Sequence, residues 1–103
     1  MNNYLLQIEY DGTKFVGWQR QKNGISVQQR IEETFQKILN SKIKIIGSGR
    51  TDKGVHARAQ FANFKTDYQI KDLKKFLNSV NFFLNRHLIS IVTIKKKNLD
   101  FNS

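Results

Sequence analysis

Cysteine and proline are both absent from this chain, and long apolar runs are missing as well. Without cysteine among its 103 residues, the chain forms no disulfide and offers no thiolate to a metal. The two histidines, His56 and His87, lack ligand-like spacing, so we expect no metal. No apolar run approaches membrane-spanning length, and the N-terminus shows no secretory pattern. We therefore expect a cytoplasmic protein that does not bind membranes.

Acidic residues are also scarce, which leaves a strong positive charge. Eighteen Lys and Arg against eight Asp and Glu give a formal net charge of +10 at pH 7. Such an excess favours a polyanionic partner, because each phosphate that Lys or Arg neutralises releases condensed counterions. The Asn-, Lys- and Ile-rich composition supports a second interpretation, in which the lysines reflect solubility or a biased genome. Charge alone therefore leaves nucleic-acid binding open.

Hydrophobic periodicity predicts six elements in one domain spanning residues 1–103. Alternation predicts a first strand, and a capping-box pattern at Ser26 and Gln29 begins an amphipathic helix that ends near Asn40. We expect the phenylalanines of both helices in the core. The remaining elements are strands and a second helix, so that the full set is Tyr4–Tyr10, 26–40, Ile43–Ile46, Ala57–Phe64, Ile70–Asn85 and Leu88–Ile94. The order β-α-β-β-α-β predicts an α+β, ferredoxin-like sandwich whose antiparallel sheet carries two helices on one face.

A glycine-rich run between the second and third predicted strands contains most of the reactive side chains. Residues 47–57 read Gly-Ser-Gly-Arg-Thr-Asp-Lys-Gly-Val-His-Ala. Glycine lets a backbone approach a ligand closely, and loops on a rigid scaffold commonly carry binding and catalytic groups. Taken alone, the tetrapeptide 49–52 fits an ordinary turn with a structural Asp–Arg pair better than a catalytic site.

Three blocks together resemble the tRNA pseudouridine synthase A family. Residues 49–57 match its G-R-T-D-x-G-V-H-A signature, residues 10–19 its Y-D-G-T-x-F-x-G-W-Q block, and residues 26–32 the S-V-Q-x-x-I-E opening of its first helix. The resemblance implies that Asp52 is the catalytic nucleophile, attacking either the sugar C1′ or the base C6 of a uridine in the tRNA anticodon stem-loop. It implies a homodimer in full-length members and no cofactor. A carboxylate is suited to covalent catalysis at a sugar carbon, and the target nucleotide must leave its stack.

The resemblance also implies RNA contacts around the catalytic carboxylate. Arg50 either binds a neighbouring phosphate, stacks in the space left by the extruded base, or pairs with Asp52 and keeps it ionised. Lys53 either contacts phosphate or extends into solvent, and His56 either contacts RNA or hydrogen-bonds the backbone where the next strand begins. The RNA-binding candidates are Arg20, Arg50, Lys53, His56 and Arg58.

The resemblance covers nearly the whole chain but only the N-terminal half of a family built from two related α/β halves. We therefore expect a fragment that keeps the nucleophile, lacks the active-site tyrosine of the second half, and is not fully active alone. One rival is a non-catalytic module of the RNA-recognition-motif kind, although residues 58–64 do not reproduce its aromatic spacing. The other is a regulatory ferredoxin-like domain, against which the net charge and the Asp52 loop both argue.

Overall fold

The computed structural model of the chain describes residues 1–11, 26–47 and 57–101, with side chains in the last range described from Gln60 onward. A 3-10 turn at Asn85–His87 joins the second helix to the last strand. The elements in chain order are β1 (Asn2–Tyr10), α1 (Val27–Leu39), β2 (Ile45–Gly47), β3 (Ala57–Thr66), α2 (Leu73–Leu84) and β4 (Ile89–Lys97). This order confirms the predicted β-α-β-β-α-β arrangement. Neither helix of the described ranges is long and apolar enough to cross a membrane.

The four strands form one antiparallel sheet in the order β2-β3-β1-β4. The central strand β1 pairs with β3 on one side and β4 on the other, so β2 and β4 are the sheet edges. Alternation along β1 buries Tyr4, Leu6, Ile8 and Tyr10 on one face, as predicted. Both helices cover that face, which confirms the ferredoxin-like α+β fold. The opposite face is termed the open face.

Helix α1 begins and ends where its sequence predicts. The hydroxyl of Ser26 accepts a hydrogen bond from the backbone N–H of Gln29 at 3.1 Å, which satisfies one of the free donors of the first turn. Asn40 ends the helix in the left-handed conformation, with φ of 51°, which asparagine adopts more readily than most residues. The apolar stripe packs into the core, and its buried members are Val27, Ile31, Phe35 and Leu39.

An aromatic cluster joins both helices to the sheet. The ring of Phe35 on α1 meets Phe64 of β3 edge-on, with centroids 5.1 Å apart, and Phe76 of α2 at 5.2 Å. Tyr4 of β1 stacks on Phe64 at 5.4 Å. Such offset and edge-on pairs add to the free energy that apolar burial already supplies. These four rings therefore link every layer of the sandwich.

The expectation that all helical phenylalanines are core residues is wrong for two of them. Phe82 is 71% exposed and Phe83 is 37% exposed. The helix begins at Leu73 rather than Ile70, because Asp72 caps it by accepting from the N–H of Lys75 at 3.0 Å. The buried positions of α2 follow a four-residue spacing through Phe76, Val80 and Leu84. Position 82 falls on the far side of that stripe.

The last strand runs three residues beyond its predicted end, through the lysines at 95–97. A turn then folds residues 98–101 onto the open face, where Asn3 donates to the carbonyl oxygens of Asn98 at 2.8 Å and Phe101 at 2.9 Å. The ammonium of Lys97 lies 5.2 Å from the Phe101 ring centroid, within cation–π range. Lys95 and Lys96 are exposed, whereas Lys97 is half-buried.

Candidate active site and the strands that flank it

Most of the site residues expected from the sequence lie outside the described residues. These are Arg20, Arg50, Asp52, Lys53 and His56. Arg58 is described only as backbone within β3. The structure does describe both strands that flank residues 48–56: β2 ends at Gly47 and β3 begins at Ala57.

Strand register sets how residues 48–56 connect the sheet. Gly47, the last residue of β2, pairs with Ala62 of β3, whereas Ala57 pairs with Tyr10 of β1. These two positions lie five residue steps apart on β3, which corresponds to roughly 17 Å along a strand. The segment that contains Asp52 therefore follows the edge strand β2 and leads into the start of the inner strand β3.

The same register brings the first sequence block to the third. The block at 10–19 begins with Tyr10, and the run at 47–57 ends with Ala57; the two residues are partners across β1 and β3. Tyr10 also pairs with Ile89 of β4, and the N–H of Asp11 donates to the carbonyl of Leu88 at 3.0 Å. Blocks that lie far apart in sequence thus meet at one end of the sheet.

The block at 26–32 contacts strand β2 further along the sheet, where Ile45 pairs with Phe64 of β3. Gln28 Nε2 donates to the carbonyl oxygen of Ile45 at 2.7 Å, and the N–H of Ile45 donates to Glu32 Oε2 at 2.8 Å. Gln36 Nε2 donates to the carbonyl of Ile43 at 3.1 Å. Residues four apart share a helix face, so Gln28, Glu32 and Gln36 form one polar stripe facing β2. Sequence reasoning used this block as a helix start and as a family motif; the signal it missed was this four-residue spacing of polar side chains beside an apolar stripe.

The open face combines exposed apolar side chains with lysines. Phe61 of β3 is 40% exposed, and Ile46 of β2 is more than half exposed. Pairing of Asn3 with both Lys65 and Lys97 places these lysines on the same face, and pairing of Leu5 places Lys95 beside them. Aromatic rings that can stack on bases, together with cations that can neutralise phosphates, are typical of single-stranded nucleic-acid surfaces.

A cationic groove lies on the other side of the molecule, between α1 and the end of α2. It encloses about 180 Å³, and its ionisable residues are Arg30, Glu33, Lys37, Arg86 and His87. Arg30 Nε is buried and has no hydrogen-bond partner within the described residues. Burial, and then the nearby charges of Arg30 and Arg86, lower the pKa of His87 against an opposing effect of Glu33. His87, which the sequence analysis considered only as a metal ligand, is among the described residues. It lies on the helix-covered side of the sheet and is distant in sequence from residues 48–56.

Comparison with known proteins agrees with the family resemblance that the three blocks carry. The family model described as tRNA pseudouridine synthase matches residues 7–103. The tRNA pseudouridine synthase A of Pelagibacter ubique is 48% identical over 103 residues, which are 100% of this chain and 42% of that protein. The tRNA pseudouridine synthase A 2 of Clostridium perfringens is 51% identical over 81 residues, covering 77% of this chain and 33% of the relative.

A third relative shows the same proportions. The tRNA pseudouridine synthase A of Caldicellulosiruptor saccharolyticus is 47% identical over 103 residues, covering 100% of this chain and 41% of the relative. The chain thus spans less than half the length of these curated relatives. Because the family model matches almost the entire chain, this chain belongs to the tRNA pseudouridine synthase family.

Proposed function

We propose that this chain provides the catalytic-carboxylate domain of an enzyme that converts uridine to pseudouridine in tRNA, with Asp52 as the nucleophile. The observation that supports the proposal is that the strands β2 and β3 flank residues 48–56 on both sides, with the first block paired to the end of that run. Tyr10 pairs with Ala57, and α1 hydrogen-bonds Ile45 at the start of β2. Residues 1–103 would form one domain, equivalent to the N-terminal half of a two-domain enzyme.

The proposed reaction is an isomerisation, so every atom of the substrate reappears in the product. The Asp52 carboxylate attacks either C1′ of the ribose or C6 of the base. In both routes the C1′–N1 bond breaks, C5 bonds to C1′, and the carboxylate is released again. C5 loses its proton and N1 gains one. Nothing is oxidised or reduced, so this chemistry calls for no cofactor.

The proposed substrate region is the anticodon stem-loop, from which the target uridine is extruded. Unstacking costs a few kcal/mol, which contacts to phosphates elsewhere must offset. The net charge of +10 and the lysines of the open face support such contacts. Arg20, Arg50, Lys53, His56 and Arg58 are the proposed RNA-binding residues near the carboxylate. A tRNA substrate agrees with the expected cytoplasmic location, and the proposed active assembly is a homodimer.

The experiment joins this chain to the remainder of the Pelagibacter ubique relative and supplies unmodified tRNA. We expect pseudouridine in the anticodon stem-loop. Asp52→Asn should lower the rate on the order of 10⁴-fold while tRNA binding persists, because only the nucleophile is lost. Product formed at the normal rate by the Asn variant would remove Asp52 from the mechanism.

A non-catalytic RNA-binding role is the second candidate. Exposed Phe61 on the inner strand β3, on the same sheet face as Lys65, Lys95 and Lys97, favours it. RNA-recognition-motif modules stack bases on aromatics of such strands. Tight, salt-sensitive tRNA binding by the joined protein, with no pseudouridine on several tRNAs, would select this role instead of catalysis.

A further inference from the structure

We propose that Gln28 and Glu32 are positioning residues for Asp52, acting through the backbone of Ile45. This inference rests on the proposed function, because it assigns a task in that reaction to the block at 26–32. The two side chains hold strand β2 from its outer side, and β2 leads directly into residues 48–56. Ile45 lies seven positions before Asp52 in the sequence.

Few backbone pairs with β3 hold strand β2 in register. It is three residues long and lies at the sheet edge, with β3 as its neighbour. The backbone N–H and C=O groups of an edge strand that point away from the sheet would otherwise face solvent. Here side chains of α1 bind both such groups of Ile45: its carbonyl accepts at 2.7 Å and its N–H donates at 2.8 Å. The helix therefore replaces the missing neighbouring strand.

The hydrogen bond between Glu32 and Ile45 is buried. Glu32 is 4% exposed and the side chain of Ile45 is fully buried, so water has little access to the bond between them. Gln28 Nε2 also lies 3.4 Å from Glu32 Oε2, which orients the two side chains relative to each other. A backbone N–H buried here without an acceptor is strongly disfavoured, so loss of Glu32 should displace β2. A displacement of about 1 Å at a catalytic group can cost 10²-fold in rate.

The other edge of the sheet supplies an internal control. Asn81 of α2 donates to the carbonyl of Ile91 at 3.0 Å and accepts from its N–H at 2.8 Å. The geometry of the bonds matches that at Ile45, but Ile91 belongs to β4, which does not lead into residues 48–56. A change at Asn81 should therefore reduce stability without changing the approach of Asp52 to the nucleotide.

The test compares two neutral variants at position 32 within the joined protein described above. Glu32→Gln keeps an oxygen that accepts the N–H of Ile45, whereas Glu32→Met does not. The control is Asn81→Leu at the other edge. For each, kcat and KM on unmodified tRNA are measured, together with hydrogen exchange of the Ile45 and Ile91 amides.

We expect Glu32→Met to lower kcat roughly 10- to 100-fold, with KM within about threefold and faster exchange at Ile45. Glu32→Gln should restore kcat to within about threefold, and Asn81→Leu should accelerate exchange at Ile91 with kcat nearly unchanged. Equal kcat losses in Glu32→Met and Asn81→Leu would overturn the inference, since stability alone would explain them. So would unchanged kcat in Glu32→Met, or equal losses in both position-32 variants. An inactive unmutated protein would instead overturn the proposed function, and this inference with it.

Discussion

The two edge strands of the sheet use the same kind of bond but depend on it to different extents. At β2, Gln28 and Glu32 hold the backbone of Ile45; at β4, Asn81 holds that of Ile91. Strand β2 has three residues and β4 has nine, which pair with β1 along most of their length. The short strand therefore owes its register to the helix, whereas the long strand owes its register mainly to the sheet.

The hydrogen bonds from Asn81 to β4 support a local irregularity of that strand. Between Gln7 and Ile8 the pairing shifts from Thr93 to Ile91, so Val92 has no partner on β1. Such a bulge disrupts the ladder and bends the strand. Asn81 supplies bonds to Ile91 directly beside this irregularity. The comparison indicates that helix side chains fix the register of β2 at one edge and support the bulge of β4 at the other.

The largest expected effect on stability is at Glu32. Glu32→Met leaves the buried N–H of Ile45 without an acceptor and should lower the free energy of unfolding by about 2–3 kcal/mol. Glu32→Gln, which keeps the acceptor, should cost about 1 kcal/mol or less. Urea denaturation of both variants measures the difference. Equal losses in the two would show that the N–H bond is not what stabilises this edge.

A smaller loss is expected at the other edge. Asn81→Ala removes two bonds to Ile91, but β4 stays paired with β1, so the free energy of unfolding should fall by about 1–2 kcal/mol. The same urea experiment measures it. If Asn81→Ala proved more damaging than Glu32→Met, the long strand would be the one that depends on its helix, contrary to the comparison.

Gln36 provides a finer test along the α1 stripe. Its amide donates to the carbonyl of Ile43, before β2 begins, and the residue is half-buried. Gln36→Ala should therefore cost about 0.5–1 kcal/mol, less than either change above. Hydrogen exchange at Ile45 should stay close to that of the unmutated chain. Fast exchange at Ile45 in this variant would mean that the stripe acts as one unit rather than through Gln28 and Glu32.

The smallest expected effect is the pH dependence of stability that comes from His87, in the turn that precedes β4. Because the pKa of His87 is lowered from 6.5 in the folded state, the unfolded chain binds the proton more tightly. Stability from His87 is therefore fully present above pH 6.5 and is lost as the pH falls through the folded pKa. His87→Gln should flatten this part of the pH profile in thermal unfolding. An unchanged slope would assign it to another group.

Sequence patterns predicted most of the fold because local physics determined it. Alternation at Tyr4, Leu6 and Ile8 identified the buried face of β1, and the Ser26 cap located the start of α1. Patterns failed at α2, where Phe82 looked like a core residue. An aromatic residue in a helix carries no mark of the face it occupies until the helix start, and hence its rotation, is known.

The candidate site divides in the same way. Residues 47–57 and the two other blocks were recognisable by their order alone, which is a property of the chain and which the family comparison confirms. Their roles, including that of Asp52, stay predictions.

The sequence by itself determined the element order, the family and the identity of the candidate nucleophile, since each depends on neighbours along the chain. Only the tertiary structure decided that Tyr10 lies opposite Ala57 and that Glu32 and Gln28 bond to Ile45. The reason is physical: strand register and helix orientation are set by burial and hydrogen bonding between segments that are distant in sequence. No local pattern encodes those pairings.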